Sequence, residues 1–208
     1  MSRTFIIEPK YYDEDRKLYK HKTIEFESGI TILVGCNGSG KSTLLKQLKT
    51  QFDKDDTPYV FYNNLTHGGI HGADAAIFHG DMGFAATLLT SSEGEAITIN
   101  LSTCARQVGY MMKHLADTEA WVLLDAIDSG LSIDQVQEVK QYLFHNMLNL
   151  YPDKTIYIIC AANEYEMCVD EKCFNVVDGK YVDINSYEDY KKQVLSTRKY
   201  KDKWTKVN

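Results

Sequence analysis

The sequence predicts an α/β protein with a mostly parallel sheet flanked by helices. Residues 120–124 and 156–160 are apolar throughout, and residues 30–34 are apolar except for Thr31. Such runs are typical of short strands covered on both faces. Segments with helical periodicity separate these strands. The 208 residues, of which 44% are hydrophobic and 25% charged, are enough for one core without disulfides or metal.

The N-terminal part is predicted to form strands and one helix. Residues 4–7 and 24–26 have the composition of short strands with a charged turn between them, which predicts an antiparallel β subdomain ahead of the parallel sheet. Leucines at helical spacing mark one apolar face of residues 41–52. A strand at residues 59–62 follows, and the glycine- and histidine-rich residues 63–81 are predicted to form a long loop.

Two more helices are predicted in the second half of the chain. Residues 95–115 fit either a strand or a helix by periodicity, and their length favours the helix. Ser132 and Gln135 form a Ser-x-x-Gln capping box before an amphipathic helix that ends ahead of Pro152. The apolar strands on either side of this helix again favour a parallel sheet.

The net charge of -6 is unevenly distributed along the chain. Residues 1–60 carry ten Lys and Arg against nine Asp and Glu, residues 61–190 six against nineteen, and residues 191–208 seven against one. We therefore expect one domain, residues 1–190, and a basic C-terminal tail, residues 191–208. The acidic middle argues against wholesale wrapping by nucleic acid, whereas the tail is either a solvated segment or a contact for nucleic acid or a protein partner.

Cysteine usage and hydropathy indicate the compartment. The five cysteines are odd in number and include no Cys-x-x-Cys pair, which is typical of a reducing, cytoplasmic location. The N-terminal residues include Glu8 and Asp13 and no apolar core of signal-peptide length. Since no apolar stretch approaches the roughly 18 residues of a membrane span, we expect no direct membrane insertion.

A glycine-rich motif carries the strongest functional signal. Residues 35–42 fit G-x-x-x-x-G-K-S between an apolar strand and a predicted helix. In this pattern backbone N–H groups surround the β-phosphate of a nucleotide, a lysine neutralises the β- and γ-oxygens, and a hydroxyl binds Mg²⁺. The sequence therefore predicts binding of ATP with Mg²⁺, with candidate residues Gly35, Cys36, Asn37, Gly38, Ser39, Gly40, Lys41, Ser42 and Thr43.

A second magnesium ligand is expected at the end of a downstream apolar strand. Asp125 directly follows the apolar residues 120–124 and fits that position. Together with Ser42 it forms the predicted metal site, and we expect Asp125 to act through a water bound to Mg²⁺.

These motifs resemble those of the ATP-binding-cassette (ABC) class of P-loop ATPases. The run GCNGSGKSTLLK is similar to the phosphate loop of that class, WVLLDAIDSGLS to its magnesium strand and D-loop, and SSEGE at residues 91–95 to its signature. The resemblance covers about residues 20–165. It implies an ATP-dependent head-to-tail homodimer, in which Ser92 and Gly94 of one subunit close over the nucleotide held by Lys41 of the other.

Several positions depart from that class. Ala126 stands where the class has a glutamate that polarises the attacking water, and alanine accepts no proton. Asp128 is either the replacement carboxylate or a turn cap. The class has a histidine after the last core strand, and Asn163 stands near that position in this sequence. The class also has a glutamine after the strand that corresponds to residues 59–62, where this sequence has Asn63 and Asn64. The resemblance thus implies slow hydrolysis or a sensing role, with candidate catalytic residues Lys41, Asp125, Asp128 and Asn163.

The resemblance leaves several functions open. The first is a soluble, stand-alone ATPase that hydrolyses slowly and acts as a dimerisation switch, similar to SMC, DNA-repair or defence ATPase heads without the coiled coil. The alternatives are an ATP sensor with little hydrolysis, the ATPase subunit of a membrane transporter, and a kinase with the same phosphate motif. Tyr11, Tyr12 and Tyr19 precede the motif where this class stacks an aromatic ring on adenine, and the sequence does not choose among them.

Overall fold

The computed structural model describes residues 1–10, 17–64, 93–115 and 119–205. Strands and helices alternate along these residues. The strands are β1 (Ser2–Ile6), β2 (Thr23–Glu27), β3 (Gly29–Val34), β4 (Tyr59–Asn63), β5 (Glu119–Asp125), β6 (Thr155–Ala161), β7 (Lys172–Asn175) and β8 (Lys180–Val182). The helices are α1 (Lys41–Asp55), α2 (Glu93–His114), α3 (Ile133–Glu138), α4 (Asn146–Leu150), α5 (Tyr165–Cys168) and α6 (Tyr187–Thr205), with a π-helical segment, Val139–His145, between α3 and α4.

The central sheet has, within the described residues, the strand order β4-β5-β6-β3-β7-β8. Neighbouring strands from β4 to β7 are parallel, and β8 pairs antiparallel with β7 at the edge. The β1–β2 pair forms a separate antiparallel sheet. The prediction of a mostly parallel α/β sheet with an N-terminal antiparallel unit is therefore confirmed. The register brings three carboxyl ends into line, since Asn63 pairs with Asp125 and Asp125 with Ala161.

The sheet is apolar on both faces because both faces are covered. On one face Ile32 and Val122 pack into a cluster with apolar residues of α2 and of the helices after β5. On the other face, the β1–β2 pair and the apolar side of α1 cover Leu33 and Leu123. Strands covered in this way need no polar alternation, which explains the uniformly apolar runs in the sequence. The leucines that predicted the buried side of α1 are fully buried: Leu44, Leu45 and Leu48.

The helices after β4 match their predictions, with one difference. The stretch that fitted either a strand or a helix is α2, so the helical interpretation is confirmed. α3 begins with the predicted capping box, in which Gln135 Oε1 accepts a hydrogen bond of 3.0 Å from the Ser132 N–H. The single amphipathic helix predicted there is interrupted by the π-helical segment before α4 continues to Leu150.

The basic C-terminal segment is largely helical. α6 packs against β3 and α5, and Thr197 in its middle is 1% exposed. The expected division between residues 190 and 191 falls inside this helix. The tail predicted from residue 191 onward is therefore, up to Thr205, part of the folded body. Neither α6 nor another helix in the described part of the chain has the length and hydropathy to cross a membrane.

Candidate nucleotide site

The phosphate loop, residues 35–40, joins the end of β3 to the start of α1. It leads into a helix of 15 residues that begins at Lys41. A helix N-terminus has unpaired N–H groups and a partial positive charge, and both attract phosphate. Gly40 adopts φ +101°, a backbone conformation that residues with a side chain disfavour. Glycine at this position therefore permits the turn into α1. The loop thus has the strand–loop–helix arrangement that the motif predicted.

Lys41 lies beneath this loop rather than in solvent. The side chain is 8% exposed, and its Nζ donates a hydrogen bond of 2.6 Å to the Gly35 carbonyl oxygen. Burial lowers the pKa of Lys41, while the nearby Cys36, Asp128 and Asp125 side chains raise it. The Ser39 hydroxyl of the same loop is buried without a hydrogen-bond partner among the described residues. A buried ammonium and an unsatisfied hydroxyl in one loop fit a site for anionic oxygens.

Asp125, Ser42 and Asn63 converge at the carboxyl ends of β4 and β5. Ser42 Oγ donates to Asp125 Oδ1 at 2.8 Å, and Asn63 Nδ2 donates to Asp125 Oδ2 at 2.8 Å. Burial raises the pKa of Asp125, and the hydrogen bond from Ser42 is the largest opposing effect. Hydroxyl and carboxylate oxygens are ligands that Mg²⁺ prefers, so Ser42 and Asp125 fit the predicted metal site. Sequence analysis did not identify the contact of Asn63 with Asp125.

The turn after β5 has an unusual backbone and a buried carboxylate. Ala126 stands where ABC-class ATPases have the glutamate that polarises the attacking water, and it adopts φ +54°. Asp128 is 2% exposed, and its Oδ2 accepts hydrogen bonds from the N–H groups of Asn163 and Glu164, the latter at 2.6 Å. Its Oδ1 is buried and has no hydrogen-bond partner among the described residues. Asp128 therefore caps the chain after β6 with one oxygen and keeps the other buried, and its charge raises the pKa of the nearby Lys41.

Asn64 and Asn163 contribute contacts at the same edge of the sheet. Asn64 Nδ2 donates to the Ser129 carbonyl oxygen at 3.0 Å, which ties the end of β4 to the turn after β5. Asn163 is exposed, and its carbonyl oxygen accepts a hydrogen bond from the Tyr190 hydroxyl of α6. The two asparagines thus flank the turn that contains Asp128, on the β4 side and the β6 side.

Comparison with known proteins agrees with this geometry. The model of the AAA ATPase domain family matches residues 17–208. The chain belongs to this ATPase family. Its fold is that of an ABC-class P-loop ATPase, because two solved ATP-binding cassettes of ABC transporters superpose over nearly its whole length. One is MJ1267 in its ADP conformation, with a TM-score of 0.52, 14% identity, and coverage of 99% of this chain and 98% of that chain.

The second structure is a nucleotide-free cassette, with a TM-score of 0.52, 14% identity, and coverage of 94% of this chain and 96% of that chain. At this identity the likeness concerns the fold. A comparison with curated proteins finds no match. The family match supports a nucleotide-binding ATPase domain, and the match extends through the basic C-terminal segment.

Tyr19, one of the three candidates for stacking on adenine, lies beneath the phosphate loop. Tyr19 is 1% exposed, and its hydroxyl donates a hydrogen bond of 2.7 Å to the Gly40 carbonyl oxygen. A buried ring under the loop is not available to stack on a base, so Tyr19 supports the loop. Tyr11 and Tyr12 lie outside the described residues, as does Ser92 of the predicted signature, and Gly94 lies in the first turn of α2.

α6 contributes site residues that sequence analysis missed. Thr197 Oγ1 accepts a hydrogen bond of 2.8 Å from the Cys36 N–H, and Lys201 Nζ donates one of 2.9 Å to the Asn37 carbonyl oxygen. Cys36 is itself buried. The available signal was the spacing of Tyr190, Val194, Thr197 and Lys201, which places these four residues on one face of a helix. The high content of lysine in the segment favoured a solvated tail instead.

Proposed function

We propose that this ATPase hydrolyses ATP slowly and uses nucleotide binding as a dimerisation switch. The observation that carries the proposal is the contrast at one sheet edge. Lys41, Ser42 and Asp125 converge as a magnesium–nucleotide site requires, whereas Ala126 supplies no proton acceptor where the class has glutamate. These contacts support binding of Mg²⁺ and nucleotide, and Ala126 supports slow hydrolysis.

Each residue has a distinct role in this proposal. Lys41 would leave the Gly35 oxygen to neutralise the β- and γ-phosphates, and Ser42 and Asp125 would hold Mg²⁺. The metal, when bound, neutralises charge that develops on the phosphate oxygens. Asp128 Oδ1 accepts a hydrogen bond from the attacking water, and Asn163 provides a neutral contact to the γ-phosphate. A capped and buried carboxylate moves little, which accounts for slow turnover.

Turnover of purified protein with ATP and Mg²⁺ tests this assignment. We expect slow phosphate release that Lys41→Ala abolishes. Asp128→Asn should reduce the rate at least tenfold, because loss of a general base lowers a rate by roughly 10²- to 10⁴-fold. Ala126→Glu should increase the rate. If wild-type protein shows no turnover and Ala126→Glu restores it, the protein is an ATP sensor. If Asp128→Asn leaves a measurable rate unchanged, Asp128 is a cap alone.

The dimer is proposed on the resemblance of the signature segment to that of the ABC class. Ser92 and Gly94 of one subunit would complete the site of the other, so dimerisation should require ATP. Light scattering with ATP and the slowly hydrolysing variant Asp128→Asn is expected to report twice the monomer mass, and Gly94→Asp should prevent this increase. A wild-type protein that stays monomeric at high concentration with ATP would exclude the switch and favour a kinase-like role.

A polyanionic partner, such as nucleic acid in a repair or defence process, is proposed for the exposed side of α6. Five basic side chains are exposed there: Lys191, Lys192, Arg198, Lys199 and Lys203. Replacing Lys192 and Lys199 by Glu should abolish salt-dependent binding to DNA or RNA. The matched control replaces the exposed Lys22 and Lys180, outside α6, by Glu. Equal binding by both double variants would exclude this surface.

A cytoplasmic location is proposed as well. All five cysteines lie in the described residues, and all are buried free thiols. A reducing compartment preserves such thiols.

A further inference from the structure

α6 lies along the phosphate loop with one face. Tyr190, Val194, Thr197 and Lys201 follow each other at intervals of four, three and four residues, so they share that face. The N-terminal part of the face contacts the Asn163 segment through the Tyr190 hydroxyl. The C-terminal part contacts the phosphate loop through Thr197 and Lys201. One helix thus links both sides of the candidate site.

Thr197 fixes the peptide group between Gly35 and Cys36. Its hydroxyl donates to the Val194 carbonyl oxygen at 2.7 Å, which leaves an oxygen lone pair for the Cys36 N–H at 2.8 Å. The carbonyl oxygen of the same peptide accepts the bond from Lys41 Nζ at 2.6 Å. Because C=O and N–H of a trans peptide point in opposite directions, Thr197 holds one side of the group and Lys41 the other.

Lys201 fixes the next part of the loop. Its Nζ donates to the Asn37 carbonyl oxygen at 2.9 Å, so the N–H of Gly38 in the same peptide points away from α6. Gly38 adopts φ +73°, and a Cβ built there would lie 2.7 Å from Lys201 Nζ, which shows how closely the two approach. The ammonium also adds a positive charge beside a loop whose motif binds phosphate.

We propose that Thr197 and Lys201 are positioning residues of the nucleotide site. Thr197 binds the Cys36 N–H on the α6 side and leaves the Gly35 carbonyl oxygen facing Lys41. Lys201 turns the Gly38 N–H away from α6, so the loop is ordered before a triphosphate arrives. Preorganised donors cost little ordering on binding, so this contact contributes to affinity. The inference rests on ATP binding by the phosphate loop, and not on hydrolysis or dimerisation. It makes the basic C-terminal helix part of the ATP site.

Titration of full-length protein with ATP and with ADP, each with Mg²⁺, tests the proposal. Lys201→Met removes the donor and keeps most of the side chain, and we expect about tenfold weaker ATP binding, the loss typical of one charged hydrogen bond. Lys201→Arg should restore most of the affinity. Thr197→Val should weaken binding and Thr197→Ser should retain it. Lys180→Met, an exposed lysine of β8, is the matched control for net charge and should bind like wild type.

The outcomes separate this proposal from the function on which it rests. If wild-type protein binds neither nucleotide, both fail. If wild type binds, Lys41→Ala does not, and Lys201→Met binds like wild type, only the present proposal is overturned. Equal losses in Lys201→Met and Lys180→Met would also overturn it, since they would indicate an effect of net charge alone. Thermal unfolding without nucleotide is measured in parallel. A positioning role would be contradicted if Lys201→Met lowered the unfolding temperature together with the ATP affinity and Lys201→Arg did not restore the affinity.

Discussion

The phosphate loop and the turn after β5 lie at the same edge of the sheet, but different parts of the chain hold them. Side chains distant in sequence hold the loop: Tyr19 ahead of β2, and Thr197 and Lys201 from α6. The turn is held by the ends of neighbouring strands, chiefly where Asp128 binds the Asn163 N–H after β6. The loop therefore depends on the whole fold, and the turn on its adjacent strands.

The contacts also differ in polarity. In the loop, side chains donate to the carbonyl oxygens of Gly35, Asn37 and Gly40, and the N–H groups of the same peptides point the opposite way. In the turn, the carboxylate of Asp128 is engaged by backbone N–H groups. The loop has its carbonyl oxygens engaged by side chains, and Thr197 binds its Cys36 N–H, whereas the turn has its carboxylate held by backbone donors. This difference supports the proposal of nucleotide binding with slow hydrolysis.

The largest stability effect is expected at Asp128. Asp128→Ala leaves the N–H groups of Asn163 and Glu164 without their acceptor, which should lower the free energy of unfolding by about 3 kcal/mol. Asp128→Asn keeps an acceptor oxygen and should cost about half as much. Urea unfolding of both variants measures the difference. An Asp128→Ala variant as stable as wild type would show that the turn does not depend on this cap.

Asp125 is expected to behave in the opposite way. Burial raises its pKa above the ordinary 3.8, so ionisation of this group opposes folding. Its stabilising contribution is present below pH 3.8 and is lost as the pH rises through the raised pKa. Asp125→Asn should therefore stabilise the nucleotide-free protein at neutral pH while weakening Mg²⁺–ATP binding.

Urea unfolding in EDTA between about pH 4 and pH 8 checks this. The stability difference between Asp125→Asn and wild type should grow as the pH rises and then level off. A difference that is constant over this range, or that shrinks with rising pH, contradicts the assigned cause.

Tyr19 tests the support of the loop from below. Tyr19→Phe removes the hydrogen bond to the Gly40 carbonyl oxygen and keeps the buried ring, so we expect a loss of about 1 kcal/mol in the free energy of unfolding. Affinity for ATP should fall roughly fivefold, since about 1 kcal/mol corresponds to that ratio. Tyr181→Phe, a half-buried tyrosine that bonds Thr31, serves as control and should leave ATP affinity unchanged.

The smallest effect is expected at Ala126. Ala126→Gly relieves a left-handed backbone conformation, φ +54°, and should raise the free energy of unfolding by about 0.5–1 kcal/mol. The control is Ala162→Gly, a buried alanine without positive φ, which should destabilise the protein. Thermal unfolding of the two variants decides the sign. Destabilisation by both would indicate that the turn tolerates this conformation without strain.

Much of the fold and half of the site could be predicted from local patterns. The apolar runs of β3, β5 and β6 and the leucine spacing of α1 were sufficient because burial dictates them residue by residue. The place of Lys41 at the start of α1 could be predicted because the motif at residues 35–42 has a fixed geometry. β7, β8 and α5 were not predicted, since their short segments carry little periodicity.

The other half of the site depends on contacts between segments far apart in sequence. The role of Asp128 as a cap requires the chain after β6, and the inward position of Tyr19 requires the loop above it. Neither contact can be inferred from the residues next to Asp128 or Tyr19 in the sequence. The composition of the C-terminal segment was misleading. Most of its basic side chains are exposed, but Thr197 of the same helix is buried and Lys201 contacts the phosphate loop.

The sequence by itself determined the α/β class, the order of its main elements, and the phosphate loop with Asp125, because periodicity and a contiguous motif are local properties of the chain. The tertiary structure decided which residues surround that loop. It placed Asn63 on Asp125, Asp128 on the chain after β6, and α6 on the loop itself. These contacts join residues up to 164 positions apart, and only packing against one sheet brings such residues together.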